Sequence, residues 1–369
     1  MANKEPGVIT EKTQMRKWSR MMRSEGKVIG LVPTMGYLHE GHISLIKEAK
    51  KHSDVIVVSI YVNPGQFAPT EDLSTYPSDF HGDVQKLVEV GGVDVVFHPH
   101  NLYDYGNLSF ENGGGGGFGG GGGGLVSCVE QCGFGHETWV RVEKLEKGMC
   151  GKSRPVFFRG VATVVAKLFN IVEPDVAVFG KKDYQQWRII RRMVRDLDFA
   201  IEVIGSDIVR ESDGLAMSSR NVHLSPEDRE KALSINQALL RAKAAAAEQG
   251  QRSCQELITS VTRIVSEAGG KVDYAEIVDQ ESLTAVEEIK RPVVFCIAAW
   301  FGKDSIQYIS FRLRPGLHGP PILIMKSYQR VLIQAREHGL ATLSDNTKPL
   351  TEPGNRINIK RVVTQSASG

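Results

Sequence analysis

The chain has 369 residues, 41% of them hydrophobic and 24% charged, with a formal net charge of +2. It is long enough to bury a sizeable core in two domains, and its charge gives no electrostatic case for nucleic acid or an anionic membrane as the main partner. No apolar run approaches the roughly 20 residues that span a bilayer, and the first 18 residues lack the apolar centre of a signal peptide and the acid-poor look of a transit peptide.

In chain order, the run Val28-Ile29-Gly30-Leu31-Val32 predicts a strand. Pro33-Thr34-Met35-Gly36-Tyr37-Leu38-His39-Glu40-Gly41-His42 follows as a tight turn, and Ile43-Ser44-Leu45-Ile46 continues with helical spacing. Residues 55–62 form a second apolar run, 83–90 a helix pattern, and 93–97 a third strand. Further on come a helix over 161–171, a strand over 176–179, a helix over 183–197 and a strand over 201–204. Near-continuous Val/Ile runs alternating with amphipathic helices predict an α/β fold, a doubly wound parallel sheet covered on both faces.

One interruption breaks this alternation. Residues 113–124 are glycine throughout except Phe118, and such a run cannot offset its ordering entropy by burial. It predicts a flexible insertion over 106–136, with Trp139-Val140-Arg141-Val142 marking the return to structure. From 212 the pattern changes to helices over 226–249 and 254–268 and strands over 272–278 and 293–300, a smaller α+β domain. The expected division is 1–207, 208–303 and an atypical, poorly ordered tail over 304–369, which lacks sustained periodicity.

The candidate site begins with His39 and His42. Three residues apart at a strand-to-helix junction, both rings fall on the first helical turn, where unpaired N–H groups and the helix dipole favour anions. Open α/β sheets bind ligands at such junctions, which outweighs the bland reading of two surface histidines. Asn63 and Gln66, in Asn63-Pro64-Gly65-Gln66 after the second strand, are neutral amides able to grip hydroxyl or carboxylate oxygens. Phe179-Gly180-Lys181-Lys182-Asp183 is another strand end: Gly180 permits close approach, Lys182 neutralises phosphate, Asp183 takes ribose hydroxyls or caps the helix, and Gln186 lies one turn on. Ser218, Ser219 and Arg220, in Asp213-Gly214-Leu215-Ala216-Met217-Ser218-Ser219-Arg220, can clamp a triphosphate as a mobile lid. Together these predict a site that binds ATP and transfers a nucleotidyl group by positioning and charge neutralisation.

Five scattered cysteines argue against a disulfide framework and point to a reducing compartment, by default the cytoplasm. Cys128, Cys132, His136 and Cys150 do not have common zinc spacings; loose loop thiols are expected instead.

The motifs together resemble the pantothenate synthetase (pantoate–β-alanine ligase) family of the HxGH nucleotidyltransferase superfamily, with a glycine-rich insertion like that of its plant branch. The resemblance runs from about 28 to 303 and includes Val58-Ser59-Ile60-Tyr61-Val62-Asn63-Pro64, Arg159-Gly160-Val161-Ala162-Thr163 and Lys167-Leu168-Phe169-Asn170-Ile171. It implies a Rossmann-like nucleotidyltransferase sheet with a C-terminal lid domain, and condensation of pantoate with β-alanine through pantoyl adenylate, with release of pyrophosphate and AMP. It further implies that His39, His42, Lys182 and Arg220 are catalytic. Met35, Gly36, Gly180, Asp183, Met217, Ser218 and Ser219 would complete the ATP site, Gln66, Gln186 and Asn63 would hold pantoate, and Asp83 would help hold Mg²⁺. A cytoplasmic homodimer with no nucleic-acid or membrane partner is implied too. The alternatives are another HxGH nucleotidyltransferase, or an inactive nucleotide-binding or dimerising variant.

Two departures stand out. The family's Arg-Pro-Gly-His-Phe reads Arg154-Pro155-Val156-Phe157-Phe158, so no histidine role carries over to 157, while Arg159 remains available for phosphate. The usual ending, a strand followed by Arg-Leu-Ile-Asp-Asn, breaks off after Trp300-Phe301-Gly302-Lys303, so the closing strand of the small domain is expected to be incomplete.

Overall fold

The fold is that of a computed structural model, which describes residues 4–103, 126–131, 136–248, 253–302 and 305–313. The glycine run and the chain beyond 313 lie outside the described residues. Residues 1–316 form one compact unit.

Six parallel strands make the main sheet: β1 (Gly7–Ile9), β2 (Ile29–Thr34), β3 (Val55–Ile60), β4 (Val95–Phe97), β5 (Val176–Gly180) and β6 (Glu202–Ser206), in the order β1-β4-β3-β2-β5-β6. Helices α1 (Lys12–Ser24), α2 (Glu40–Ala49), α3 (Phe80–Val90), α6 (Phe157–Val172) and α7 (Tyr184–Asp196) cover it, with short turns of helix α4 (Cys128–Gln131) and α5 (Cys150–Ser153) between. Alternate strand residues face opposite layers. Leu31, Val57, Phe97 and Ala177 pack with α1, α6 and α7, while Val32, Val58, Val96 and Val178 pack with Leu38, Ile43, Ile46 and Leu87 of the α2–α3 side. Burial on both faces is what makes these strands read as unbroken Val/Ile runs.

The chain winds outward from β2 through β3 to β4 on one side and continues from β5 to β6 on the other, so the switch point lies between β2 and β5. Their carboxyl ends diverge there, into α2 and α7.

Past β6, the long helix α8 (Pro226–Glu248) and α9 (Cys254–Glu267) pack on an antiparallel sheet of β7 (Lys271–Asp279), β8 (Val293–Phe301) and β9 (Ser305–Leu313), with a core of its own around Leu239, Val261, Phe295 and Ile297. β9 corrects the expected tail boundary at 304. It pairs along the whole of β8, from Phe301 opposite Ser305 to Val293 opposite Leu313, so the small sheet has its closing strand despite the departure from the family ending.

Two further elements escape the sequence expectation, β1 and α1. Helix α1 carries its signal in Met15, Ser19 and the part-buried Trp18 and Met22, a stripe at helical spacing hidden among charges.

Candidate active site

The turn after β2 is built around a buried carboxylate. Gly36 (φ +88°) and Tyr37 (φ +52°) both take left-handed backbone conformations, a strain that persists only where the surroundings hold it. Asp83 of α3 does so: its two oxygens accept the backbone N–H groups of Tyr37 (2.7 Å) and Leu38 (2.6 Å). Asp83 is fully buried, and burial pushes its pKa up against these bonds. Gly36 suits this turn because its φ strains any side chain, and a Cβ there would also sit tightly, 3.1 Å from Asp83 Oδ2 and from Ile60. Neither Gly36 nor Asp83 lines the cavity. Both Asp83 oxygens hold the turn rather than line the cavity, so its observed part here is to anchor the β2–α2 junction. Among the described residues no cluster of three His, Cys, Asp or Glu is placed to hold a metal ion.

From this turn the chain enters α2 through a reciprocal cap. His39 Nδ1 accepts the N–H of Gly41 (3.1 Å), and His42 Nδ1 accepts the N–H of His39 (3.3 Å). Glycine at 41 is dictated by the fold-back, because a Cβ would meet the His39 ring at 2.7 Å. The ring centroids are 4.0 Å apart. With Nδ1 accepting, each neutral ring keeps its proton on Nε2 as the donor it can offer. Burial, then the nearby Lys182 and Lys86, lowers His39 to about 4. Burial, then His39 and the same lysines, holds His42 well below the usual imidazole value.

Both rings line one cavity at the carboxyl ends of β2 and β5. Met35, Asn63, Gln66, Gly180, Lys182, Asp183, Gln186, Met217, Ser218, Ser219 and Arg220 line the same cavity, so all the expected site residues meet there except Gly36 and Asp83. A Cβ on Gly180 would find no protein atom within 4 Å, which leaves the cavity wall open there. Lys182 lies 3.3 Å from the half-exposed Asp183 carboxylate. The Ser219 hydroxyl donates to Tyr37 O (3.1 Å), and Asn221 donates to Glu211 and Ala216 O, so the expected lid loop is braced at both ends. Asn63 lines the cavity, yet its amide is engaged within the protein: Oδ1 accepts from Tyr103 and Gly65, and Nδ2 donates to Gln66 and Gly160 O.

Several residues the sequence reading left without roles are also present. Arg154 lines the cavity with its guanidinium 3.9 Å from the centre of the Phe157 ring and paired with Glu71. Tyr76 lines it beneath Arg220. The adjacent acids Glu71 and Asp72 signal both arrangements only once their arginine partners are known. Arg159, kept as a phosphate ligand, instead pairs with Glu130 and stacks on Trp139 away from the cavity. Of the thiols expected to be loose, Cys128 and Cys150 are buried, as are Cys254 and Cys296; none of these four is in a disulfide, and burial pushes Cys150 up to about 12. Cys132 lies outside the described residues.

A doubly wound sheet with a capped histidine pair, a lysine and an arginine at its switch point defines an α/β enzyme of the nucleotidyltransferase type. The family model described as pantoate-beta-alanine ligase matches residues 7–309. The chain is 71% identical over 303 residues to a pantoate–β-alanine ligase of Lotus japonicus, covering 82% of this chain and 97% of that one. Among solved structures, a pantothenate synthetase from Thermus thermophilus superposes with a TM-score of 0.71 at 35% identity, covering 84% of this chain and 100% of that one. A pantoate–β-alanine ligase from Francisella tularensis, complexed with β,γ-ATP and β-alanine, superposes with a TM-score of 0.61 at 29% identity, covering 83% and 97%. The chain belongs to the pantoate–β-alanine ligase family.

Proposed function

We propose that the chain condenses pantoate with β-alanine at the expense of ATP, through an enclosed pantoyl adenylate. The observation that carries this reading is the convergence of two Nε2–H imidazoles, Lys182, Arg220 and the Gln66 and Gln186 amides on one cavity. A pantoate carboxylate oxygen attacks the α-phosphorus, and the bond from that phosphorus to the bridging oxygen breaks, releasing pyrophosphate. The β-alanine nitrogen, shedding protons, then attacks the acyl carbon and expels AMP. In this reading His39, His42 and Lys182 donate to the phosphate oxygens as charge shifts toward the leaving group, with Ser218, Ser219 and Arg220 on the outer phosphates. Gln66 and Gln186 hold pantoate, Gly180 and Asp183 the nucleoside, and Met35 and Met217 the apolar walls. The F. tularensis relative solved with β,γ-ATP and β-alanine supports ATP and β-alanine as ligands.

Mg²⁺ belongs to this reading only as an ion carried by the nucleotide phosphates. Residues 1–207 supply the nucleotide and pantoate walls, and residues from 208 the lid, which runs to Leu313. Homodimerisation follows from the family resemblance. Among the described residues no helix is long and apolar enough to cross a membrane, and the buried cysteines outside any disulfide suit a reducing compartment such as the cytoplasm.

The test is product analysis with purified protein. Pantothenate and AMP should form in equal amounts from ATP, pantoate and β-alanine. Turnover of CTP with a phosphorylated alcohol, and none with pantoate, would reject the reading.

A further inference from the structure

Gln66 is held by a chain of buried hydrogen bonds whose direction can be read unambiguously. The Gly65 backbone N–H, which can only donate, points to Asn63 Oδ1 at 3.2 Å. The Gly160 carbonyl, which can only accept, takes Asn63 Nδ2 at 3.2 Å. These two backbone groups fix the orientation of the Asn63 amide. Its second N–H then reaches Gln66 Oε1 at 2.9 Å, so Gln66 must keep Nε2 for its other side, where it lies 3.3 Å from Met35 Sδ on the cavity wall. Behind Asn63, the Tyr103 hydroxyl donates to Oδ1 at 2.8 Å. Tyr103 is fully buried and does not line the cavity. The arrangement tolerates no slack: a Cβ on Gly65 would sit 2.8 Å from the Tyr103 hydroxyl, and one on Gly160 would sit 2.1 Å from Gly65 O.

We propose that Tyr103 is a positioning residue that acts through Asn63 to present Gln66 as an N–H donor only, selecting a substrate with an acceptor oxygen at that point. The proposal rests on the assignment of Gln66 to the hydroxy acid. Asn63 thereby changes role, from a substrate contact to the residue that orients one. A glutamine free to turn over would accept either donors or acceptors; one locked by Tyr103 and Asn63 discriminates.

A double-mutant cycle tests this. Tyr103→Phe keeps the ring and removes the hydroxyl. It is expected to raise the KM for pantoate about 3- to 10-fold, the worth of one hydrogen bond, with the KM for ATP changed less than twofold. In a Gln66→Ala background the same substitution should add nothing. Equal effects on all substrates, effects that multiply in the double variant, or no effect would each overturn the proposal. Should Tyr103→Phe fail to fold, Asn63→Asp carries the same test, because its carboxylate opposes Gln66 Oε1.

A readout without substrate separates this proposal from the assigned activity. In ¹⁵N-glutamine-labelled protein, the Gln66 side-chain amide should exchange hydrogen faster in Tyr103→Phe than in the parent. Equal exchange rates overturn the relay whatever the chain does with pantoate. Absence of any pantoate-dependent turnover in the parent, with faster exchange in the variant, would instead reject the functional reading and leave the relay standing.

Discussion

Arg220 makes two hydrogen bonds to the Asp72 carboxylate, 2.8 Å from Nε and 3.1 Å from Nη2, and its guanidinium lies over the Tyr76 ring. Burial pushes the Asp72 carboxyl up, but the Arg220 hydrogen bonds and charge outweigh it, and the net shift is downward. The pair ties the loop after β6, where Arg220 lines the cavity, to the segment after β3. Asp72→Ala should lower turnover about tenfold and Arg220→Ala about 100-fold, the scale of one charge-stabilising donor. Because Asp72 acts through Arg220, the double variant should match Arg220→Ala alone; multiplied losses in steady-state kinetics would contradict this coupling.

The histidine pair serves both as cap and as donor set, and two substitutions separate these duties. His39→Asn retains a side-chain acceptor for the helix start but withdraws the Nε2–H group, so turnover should fall about 100-fold while the thermal midpoint stays within a few degrees. His42→Ala should cost at least as much turnover and lower the midpoint as well, since the N–H of His39 loses its acceptor. Near-normal adenylation in either variant would reject the assigned donor role.

The depressed imidazole values make stability depend on pH with a definite sign. An unfolded chain takes up protons on its histidines as pH falls through about 6.5, whereas His39 resists until about 4. The unfolded state binds more protons in that window, so stability falls as pH drops from 6.5 toward 4. Denaturant midpoints at pH 7 and pH 5 should differ more in the parent than in His39→Asn. The ring resonances of His39 should stay flat from pH 8 to 5.5; titration near 6.5 would contradict the neutral-donor assignment.

Asp83 provides a test of metal against architecture. Asp83→Asn keeps one acceptor for the Tyr37–Leu38 turn and loses the other. One unsatisfied buried N–H costs about 1–3 kcal/mol, so melting should drop by several degrees, while the Mg²⁺ concentration for half-maximal activity stays within twofold. A tenfold rise in that concentration with an unchanged melt would restore the metal role.

The legible part of this protein was what burial and backbone geometry impose locally. Doubly covered strands must be apolar throughout, which exposed β2, β3 and β5, and the His39-Glu40-Gly41-His42 turn announced the switch point because ligand-binding junctions recur there. Gly41 had no stated reason until the His39 ring was seen folded over it. Pairings between distant segments were not legible: Asp72 with Arg220, Glu71 with Arg154, and Tyr103 behind Asn63 join residues 40 to 148 positions apart. The metal role of Asp83 is implied by the family resemblance alone; its bonds to the backbone of Tyr37 and Leu38 depend on the left-handed turn at Gly36 and Tyr37, which no local sequence pattern announces. Strand β9 is not legible because the chain after Lys303 departs from the family ending, and the strand is defined by its pairing along β8, which only the fold shows.

The most direct test of the account is a single-turnover experiment with ATP, Mg²⁺ and pantoate in the absence of β-alanine. The account predicts a burst of about one pyrophosphate per site that requires pantoate, with the adenylate retained until β-alanine releases AMP. No pyrophosphate before β-alanine is added, or release that does not depend on pantoate, would contradict it.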